Sequence, residues 1–260
     1  MNTFTISIIT ATFNAEKTLS DCIESISRQS VDSEHVIIDG ESTDGTLKII
    51  KHYRTSIAKV VSEPDRGIYD AMNKGIKIAT GDVIGILNAD DFYASNDVLK
   101  KISDVFLDPN VDACYGDLVY VNNKNKNKIT RYWKSGDFNI RKFYFGWMPP
   151  HPTFFVRRSV YKKHGLFNLN LGSSADYEIM IRFLLKKRLN VAYIPEVLVN
   201  MRTGGESNAS LLNRLKANRN DRKAWKVNGL RLYPWIIILK PLRKIGQWLF
   251  KNESKKSSNY

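Results

Sequence analysis

Two hydrophobic rhythms alternate along the first 107 residues. Short β-branched runs, FTISIIT (4–10), HVIID (35–39), AKVVS (58–62) and DVIGIL (82–87), have the length and composition of buried strands. Between them, EKTLSDCIESISRQ, STDGTLKIIKHYR and GIYDAMNKGIKIA place apolar residues at helical intervals, as in Leu19, Ile23 and Ile26 or Leu47, Ile50 and Tyr53. Strand and helix repeating in this way predict an α/β fold, a single Rossmann-like, mainly parallel sheet with helices on both faces. Ser42 and Asn96 precede helical stretches as N-caps would.

The second half is less regular. DACYGDLVYV and KITRYWK flank the polar NNKNKNK and predict a hairpin with a solvated turn. MPPHPTFFVRRSVYKKHG reads as loop, strand and short helix. GSSADYEIMIRFLLKK predicts a helix that starts just after Ser173 and Ser174 and carries Asp176 in its first turn. NVAYIP returns as a strand, and the glycine-bearing MRTGGESNAS reads as a mobile connection. LLNRLKANRNDRKAWKV and YPWIIILKPLRKIGQWLFK then predict a C-terminal helical tail.

Polar residues cluster where the predicted strands end. Thr10 to Asn14 follow the first, Asp39 and Glu41 the second, Glu63, Asp65 and Arg66 the third, and Asn88, Asp90 and Asp91 the fourth. Any one acid here reads equally as a hydrated strand end or a helix cap. Four in register mark a ligand crevice, which in such sheets lies outside the carboxyl ends of the strands. Adjacent aspartates supply hard oxygen ligands suited to Mg2+ or Mn2+ beside a substrate's phosphates. The segment after the first strand, TATFNAEKT, contains no glycine, which excludes both the dinucleotide-binding and the P-loop fingerprints.

Length and charge bound the rest. A chain of 260 residues accommodates one main domain of about 200 residues and an appendage. The net charge of +14 is concentrated at the end, where residues 207–260 hold 13 Lys and Arg against only Asp221 and Glu253. Such a tail fits either an anionic membrane surface or a helix packed on the main domain with a solvated basic face. Its apolar run, Trp235 to Leu239, is too short to span a bilayer. The acidic clusters of the main part argue against a nucleic-acid groove, so no nucleic-acid partner is expected. Cys22 and Cys114 form no metal-binding or disulfide pattern, and the N-terminus lacks a signal-peptide pattern, so a cytoplasmic protein is expected.

Taken in order, SIITATFNAEKTLSDCIESISRQ, HVIIDGESTDGT, EPDRGIYDAMNKGIKIATGDVIGILNADD and SADYEIMIR resemble family 2 glycosyltransferases of the GT-A fold, in the style of bacterial enzymes that build cell-surface polysaccharides. The resemblance runs over about residues 4–208. It implies a glycosyltransferase domain over 1–208, with a nucleotide-binding half (1–107) and an acceptor-binding half (108–208), followed by the basic amphipathic tail 209–260. The implied activity is inverting transfer of a sugar from a nucleotide-sugar donor, UDP-linked, to a hydroxyl of a lipid-linked or glycan acceptor. Mn2+ or Mg2+ is the implied cofactor, and the implied location is peripheral at the inner face of the cytoplasmic membrane.

Carried over by position, the resemblance assigns Ala11 and Phe13 to the base pocket, Asp39 to the uracil ring and Arg66 to the phosphates or ribose. Asp90 would approach the ribose or donor sugar, Asp91 would ligate the metal, and Asp176 would be the general base. Many relatives complete the metal shell with a histidine after the last strand, but NMRTGGESN has none. His151 in PPHPTFF is then a substitute ligand, an acceptor contact or simply a packed loop residue. Asp176 has a bland alternative too, as a first-turn acid favourable to the helix dipole. A non-catalytic nucleotide-binding or membrane-associated scaffold is the competing function, and the intact acids at 39, 90, 91 and 176 speak against it.

Overall fold

The computed structural model describes residues 4–204 and 211–249. The first half follows the predicted alternation: β1 (Ile6–Thr12), α1 (Leu19–Ser27), β2 (Ser33–Asp39), α2 (Thr46–His52), β3 (Lys59–Ser62), α3 (Ile68–Ile78) and β4 (Val83–Ile86). After it come β5 (Phe92–Tyr93), α4 (Val98–Phe106), the hairpin of β6 (Ala113–Val121) and β7 (Ile129–Trp133), then β8 (Phe155–Arg157) and α5 (Arg158–His164). The chain continues through α6 (Ala175–Met180), extended by a π-helical turn over Ile181–Lys186, to β9 (Val191–Arg202), α7 (Leu211–Val227) and α8 (Pro234–Leu249).

All the strands join one sheet, in the order β3-β2-β1-β4-β8-β6-β9-β5, with β7 added alongside β6. The mainly parallel arrangement is that of β3-β2-β1-β4. Beyond β4 the sheet is mixed: β8 runs antiparallel to both β4 and β6, β9 parallel to β6, and β5 antiparallel to β9. Register sets the site. Thr12 lies opposite Asp39, Asp39 opposite Ser62, and Ile9 opposite Ile86, so the first four strands release their polar ends at one edge.

Side chains alternate across the sheet as the period of two requires. Ile9, Val36 and Ile38 pack with Ala71, Met72 and Ile76 of α3 on one face. Ile6 and Ile8 pack with Cys22 and Ile26 of α1 and with Leu99, Ile102 and Phe106 of α4 on the other. Gly75 lets α3 come this close, since a Cβ there would stand 2.4 Å from Ile9 Cγ2. Two N-cap expectations are corrected. α2 starts at Thr46 rather than beside Ser42, because the Asp44 carboxylate takes the Thr46 N–H at 2.9 Å and Glu16 takes the Gly45 N–H at 2.8 Å. In α4 the N-cap position falls on Asp97, one residue after Asn96.

The described part of the tail packs on the domain. Ala224, Trp225 and Ile236 are fully buried in the same core as Ile179 and Phe183. At Gly146 (φ +75°) the backbone of Lys240 passes so near that a Cβ would meet its nitrogen at 2.5 Å. No described helix is long and apolar enough to cross a membrane. The mobile connection expected over 201–210 and the end of the tail lie outside the described residues from 205 to 210 and from 250 onward.

Glu34 ties the parallel strands together at the edge opposite the site. It accepts from Lys59 Nζ at 2.6 Å, from Thr80 N at 2.7 Å, and from the hydroxyls of Thr80 and Ser7. Burial raises its pKa, but these donors outweigh burial and hold it at about 2 instead of 4.5. A depressed carboxylate pKa stabilises the folded state above the unfolded value and loses that contribution as pH falls toward the folded one. Glu34→Gln is therefore expected to lower stability at pH 6, and the gap from wild type to narrow between pH 4.5 and pH 2, read by urea unfolding at a series of pH values.

Candidate active site

The site is built from three groups of residues along the carboxyl ends of the strands. At the first, β1 carries buried Ala11 just before its last residue, Thr12, and is followed by Phe13, which is 62% exposed. A Cβ on Gly40 would stand 2.6 Å from Asp65 Oδ2 and 3.5 Å from the Phe13 ring, so these residues form one shallow wall. Asp39 is fully buried and already engaged: Oδ2 accepts from the Ser42 N–H at 3.1 Å and from Ser62 Oγ at 2.7 Å, and Oδ1 accepts from Ser42 Oγ. Ser42 Oγ in turn accepts the Asn14 N–H at 2.9 Å. Asp39 thus braces the loops after β1, β2 and β3 against one another. Arg66 reaches outward, its guanidinium 3.3 Å from Asp70 Oδ1, while its backbone N–H donates to Asp70 Oδ2 at 3.1 Å.

The second group is the acidic end of β4. Asp91 is fully buried, and Asn88 Nδ2 donates to its Oδ2 at 3.0 Å. Its Oδ1 and the Asn88 Oδ1 have no hydrogen-bond partner among the described residues. Burial, and then the charge of Asp90 beside it, push the Asp91 carboxyl well above the usual carboxylate range, and burial raises Asp90 as well. The backbone N–H and the charge of Arg202 act in the opposite direction. Arg202 ends β9, is 5% exposed, pairs with Asp21 and lies 5.1 Å over the Phe92 ring. Two of its guanidinium nitrogens, Nε and Nη1, have no partner among the described residues.

Two carboxylates and an orphaned amide oxygen are hard donors that a divalent cation would satisfy, since Mg2+ and Mn2+ bind through one or two carboxylates and complete their shells with water and phosphate. The residues present therefore fit such an ion, with Asp91 the deeper ligand. Among the described residues no third His, Cys, Asp or Glu joins them.

The third group surrounds Asp176 at the start of α6. Its Oδ1 accepts the Tyr177 N–H at 2.7 Å. Tyr69 stands in the field of Asp176: burial, followed by that carboxylate's charge, raises the Tyr69 pKa far above its ordinary value. His151 is also in the field of Asp176: burial lowers the imidazole pKa and the carboxylate opposes the shift. Phe167 lies between the two rings, 5.4 Å from Tyr69 and 5.6 Å from His151. Asn73 locks it by a reciprocal pair of hydrogen bonds to the Phe167 N–H and carbonyl, each 2.9 Å.

This geometry belongs to a known family. The pattern of Glycosyl transferase family 2 matches residues 7–165. A PGL/p-HBAD biosynthesis glycosyltransferase of Mycobacterium bovis (strain BCG / Pasteur 1173P2) is 32% identical over 210 residues, 78% of each chain. The chain belongs to glycosyltransferase family 2. A second relative, the UDP-Glc:alpha-D-GlcNAc-diphosphoundecaprenol beta-1,3-glucosyltransferase WfgD of Escherichia coli, is 31% identical over 127 residues, 48% of this chain and 50% of WfgD.

Among solved structures, S. aureus TarS 1-349 in complex with UDP-GlcNAc superposes with a TM-score of 0.68 at 20% identity, covering 98% of this chain and 74% of that one. The mannosyltransferase PcManGT from Pyrobaculum calidifontis, in complex with GDP-Man and Mn2+, gives 0.63 at 18% identity, covering 90% of this chain and 68% of that one. The fold is accordingly GT-A. The family match ends at residue 165, so Asp176 and both tail helices lie past it.

Tyr69 and Arg202 are the residues that sequence reasoning missed. Tyr69 lies in a helical stretch, GIYDAMNKGIKIA, but its approach to Asp176 spans more than a hundred residues of chain. Arg202 stood in a stretch read as a loop and is the last residue of a strand. A buried like-charge pair is costly without a cation. Asp91→Asn is therefore expected to raise the melting temperature of the metal-free protein, by about 1–3 kcal/mol of stability. It is also expected to abolish the rise that Mn2+ gives the wild type, with Asp90→Asn weakening that rise less; differential scanning fluorimetry with a Mn2+ titration reads both.

Proposed function

We propose that this family 2 glycosyltransferase is an inverting, metal-dependent enzyme. In this reading it moves a sugar from a UDP-sugar to a hydroxyl of a lipid-linked glycan acceptor in surface polysaccharide synthesis. The observation that carries the reading is Asp91, a buried carboxylate with an unsatisfied oxygen beside a second acid at the strand edge where such sheets bind ligands. The donor class is supported by the UDP-GlcNAc held by TarS and the UDP-Glc named for WfgD, and the acceptor class by the diphosphoundecaprenol named for WfgD.

In this reading the pyrimidine lies against Phe13 on the wall made with Ala11, Gly40 and Asp65, with Asp39 and its serines at the hydrogen-bonding edge of the base. Arg66 faces the phosphates or ribose, Asp90 the ribose or donor sugar, and Asp91 with Asn88 holds Mn2+ or Mg2+. A divalent ion there, when bound, offsets the charge that develops on the departing diphosphate. Asp176 takes the proton of the acceptor hydroxyl as that oxygen attacks the anomeric carbon from the face opposite the diphosphate. The bond from the anomeric carbon to the diphosphate breaks, and UDP leaves with the bonding pair. Tyr69 stands beside Asp176, and His151 borders the acceptor side.

A basic, aromatic surface supports contact with an anionic bilayer. Phe145, Trp235 and Leu242 are exposed, Tyr233 and Trp235 stack at 4.5 Å, and Arg231 and Arg243 are exposed on the tail beside them. In this reading the enzyme works at the inner face of the cytoplasmic membrane.

Two experiments test the reading. In a screen of UDP-sugars with Mn2+, at least one is expected to be hydrolysed without acceptor, and Asp176→Asn is expected to lower turnover by about 10²–10⁴-fold while UDP affinity by calorimetry stays the same. Absence of UDP binding would sink the donor assignment. In flotation assays the protein is expected to bind vesicles containing phosphatidylglycerol and not pure phosphatidylcholine, with loss of binding at high salt. Equal binding to both vesicle types would remove the electrostatic part of the membrane reading.

A further inference from the structure

The two C-terminal helices end their path on the residue next to Asp176. Trp225 of α7, fully buried, donates its Nε1–H to the Tyr177 hydroxyl at 3.0 Å. Lys240 of α8 places its ammonium 3.6 Å from the centroid of the Tyr177 ring and 2.7 Å from Asp221 Oδ2 of α7. One residue further on, Glu178 is buried and accepts from Asn228 Nδ2, just past α7, at 3.0 Å, and from Arg182 at 3.0 Å. Tyr177 is thus held at three points: its ring by the ammonium, its hydroxyl by the indole, and its backbone N–H by the Asp176 carboxylate at 2.7 Å.

We infer that the tail is a positioning element of the active site, with Lys240 and Trp225 acting through Tyr177 to set the direction of the Asp176 carboxylate. The inference rests on the reading of Asp176 as the base. The physical reason is local. α6 proper is only six residues long before it passes into a π-helical turn, so it has little intrinsic stability. Its first turn is fixed by what packs on it, and on this side that is α7 and α8. A cation over a tyrosine face and a buried indole hydrogen bond are directional contacts, unlike general apolar packing. They fix where Tyr177, and with it the backbone of this first turn, sits, and the Tyr177 N–H then holds one oxygen of Asp176 and leaves the other to face an acceptor. Tyr69, on α3, stands near the same residue, so Asp176 has a tyrosine on the sheet side and another on the tail side.

The test compares full-length wild type with Lys240→Met, which keeps the length of the side chain and removes its charge, and with Lys240→Arg, which restores the charge. Lys240→Met is expected to lower kcat for UDP-glucose or UDP-GlcNAc turnover roughly ten- to a hundredfold, with donor KM and calorimetric UDP affinity unchanged. Lys240→Arg should recover most of the loss. Hydrogen exchange of the segment 174–180 gives a readout that needs no turnover, and it should speed up in Lys240→Met while β1 to β4 stay protected.

Wild-type kcat in Lys240→Met, unchanged exchange at 174–180, or a parallel fall of kcat and UDP affinity would each overturn the inference. Asp176→Asn measured alongside separates the two claims. If it retains turnover the base assignment fails, whereas an inactive Asp176→Asn beside a wild-type Lys240→Met removes the tail coupling alone.

Discussion

The structure turns on a carboxylate that has been taken out of water. Asp91 is fully buried next to a second acid, and only Asn88 and the backbone N–H and charge of Arg202 temper it. Burying a charge without a full complement of partners is among the costlier things a protein interior can do. The surrounding architecture makes it sustainable. β4 is flanked by β1 and β8, and the core of Ile6, Val83, Leu87 and Tyr93 fixes where the chain leaves the strand. A site so arranged is electrostatically unfinished, which is the observation behind the proposed cation and nucleotide-sugar donor.

The same edge shows two other uses of acidic side chains, and burial separates them. Asp39 is as deeply buried as Asp91 but satisfied by Ser42 and Ser62, so it acts as a brace between loops. Asp176 is tied through one oxygen to the Tyr177 N–H and touched by Tyr69, an arrangement that orients a carboxylate without consuming it. Three aspartates with the same side chain thus differ by their partners: one satisfied, one left open and one tied through a single oxygen. The tail helices reach the same region, because Trp225, Asn228 and Lys240 contact Tyr177 and Glu178.

Much of this was legible in the order of residues. The alternation of β-branched runs with helical spacing gave seven elements of the first half in their right order, and the NNKNKNK turn gave the β6–β7 hairpin. The family resemblance pointed to the residues that line the edge. Elements defined by a partner rather than by their own pattern were not legible. β5 is two residues long and exists because Phe92 and Tyr93 pair with Asn200 and Val199. β9 runs on through Pro195 to Arg202 because β6 offers it a parallel partner along most of its length. Ser42 reads as a helix cap in sequence, yet the buried Asp39 carboxylate competes for it and wins.

What the sequence by itself determined is the α/β alternation, the acidic ends of the strands and the basic tail, because period, β-branching and charge are local properties written one residue at a time. The tertiary structure decided which acid is satisfied and which is left open, that Arg202 stands against the Asp90–Asp91 pair, and that Tyr69 comes beside Asp176. Those outcomes depend on burial and on hydrogen-bond partners brought from distant positions. The tail shows the division most directly: its charge was visible from composition, but only the tertiary structure packs Trp225 and Lys240 against Tyr177, the residue next to Asp176.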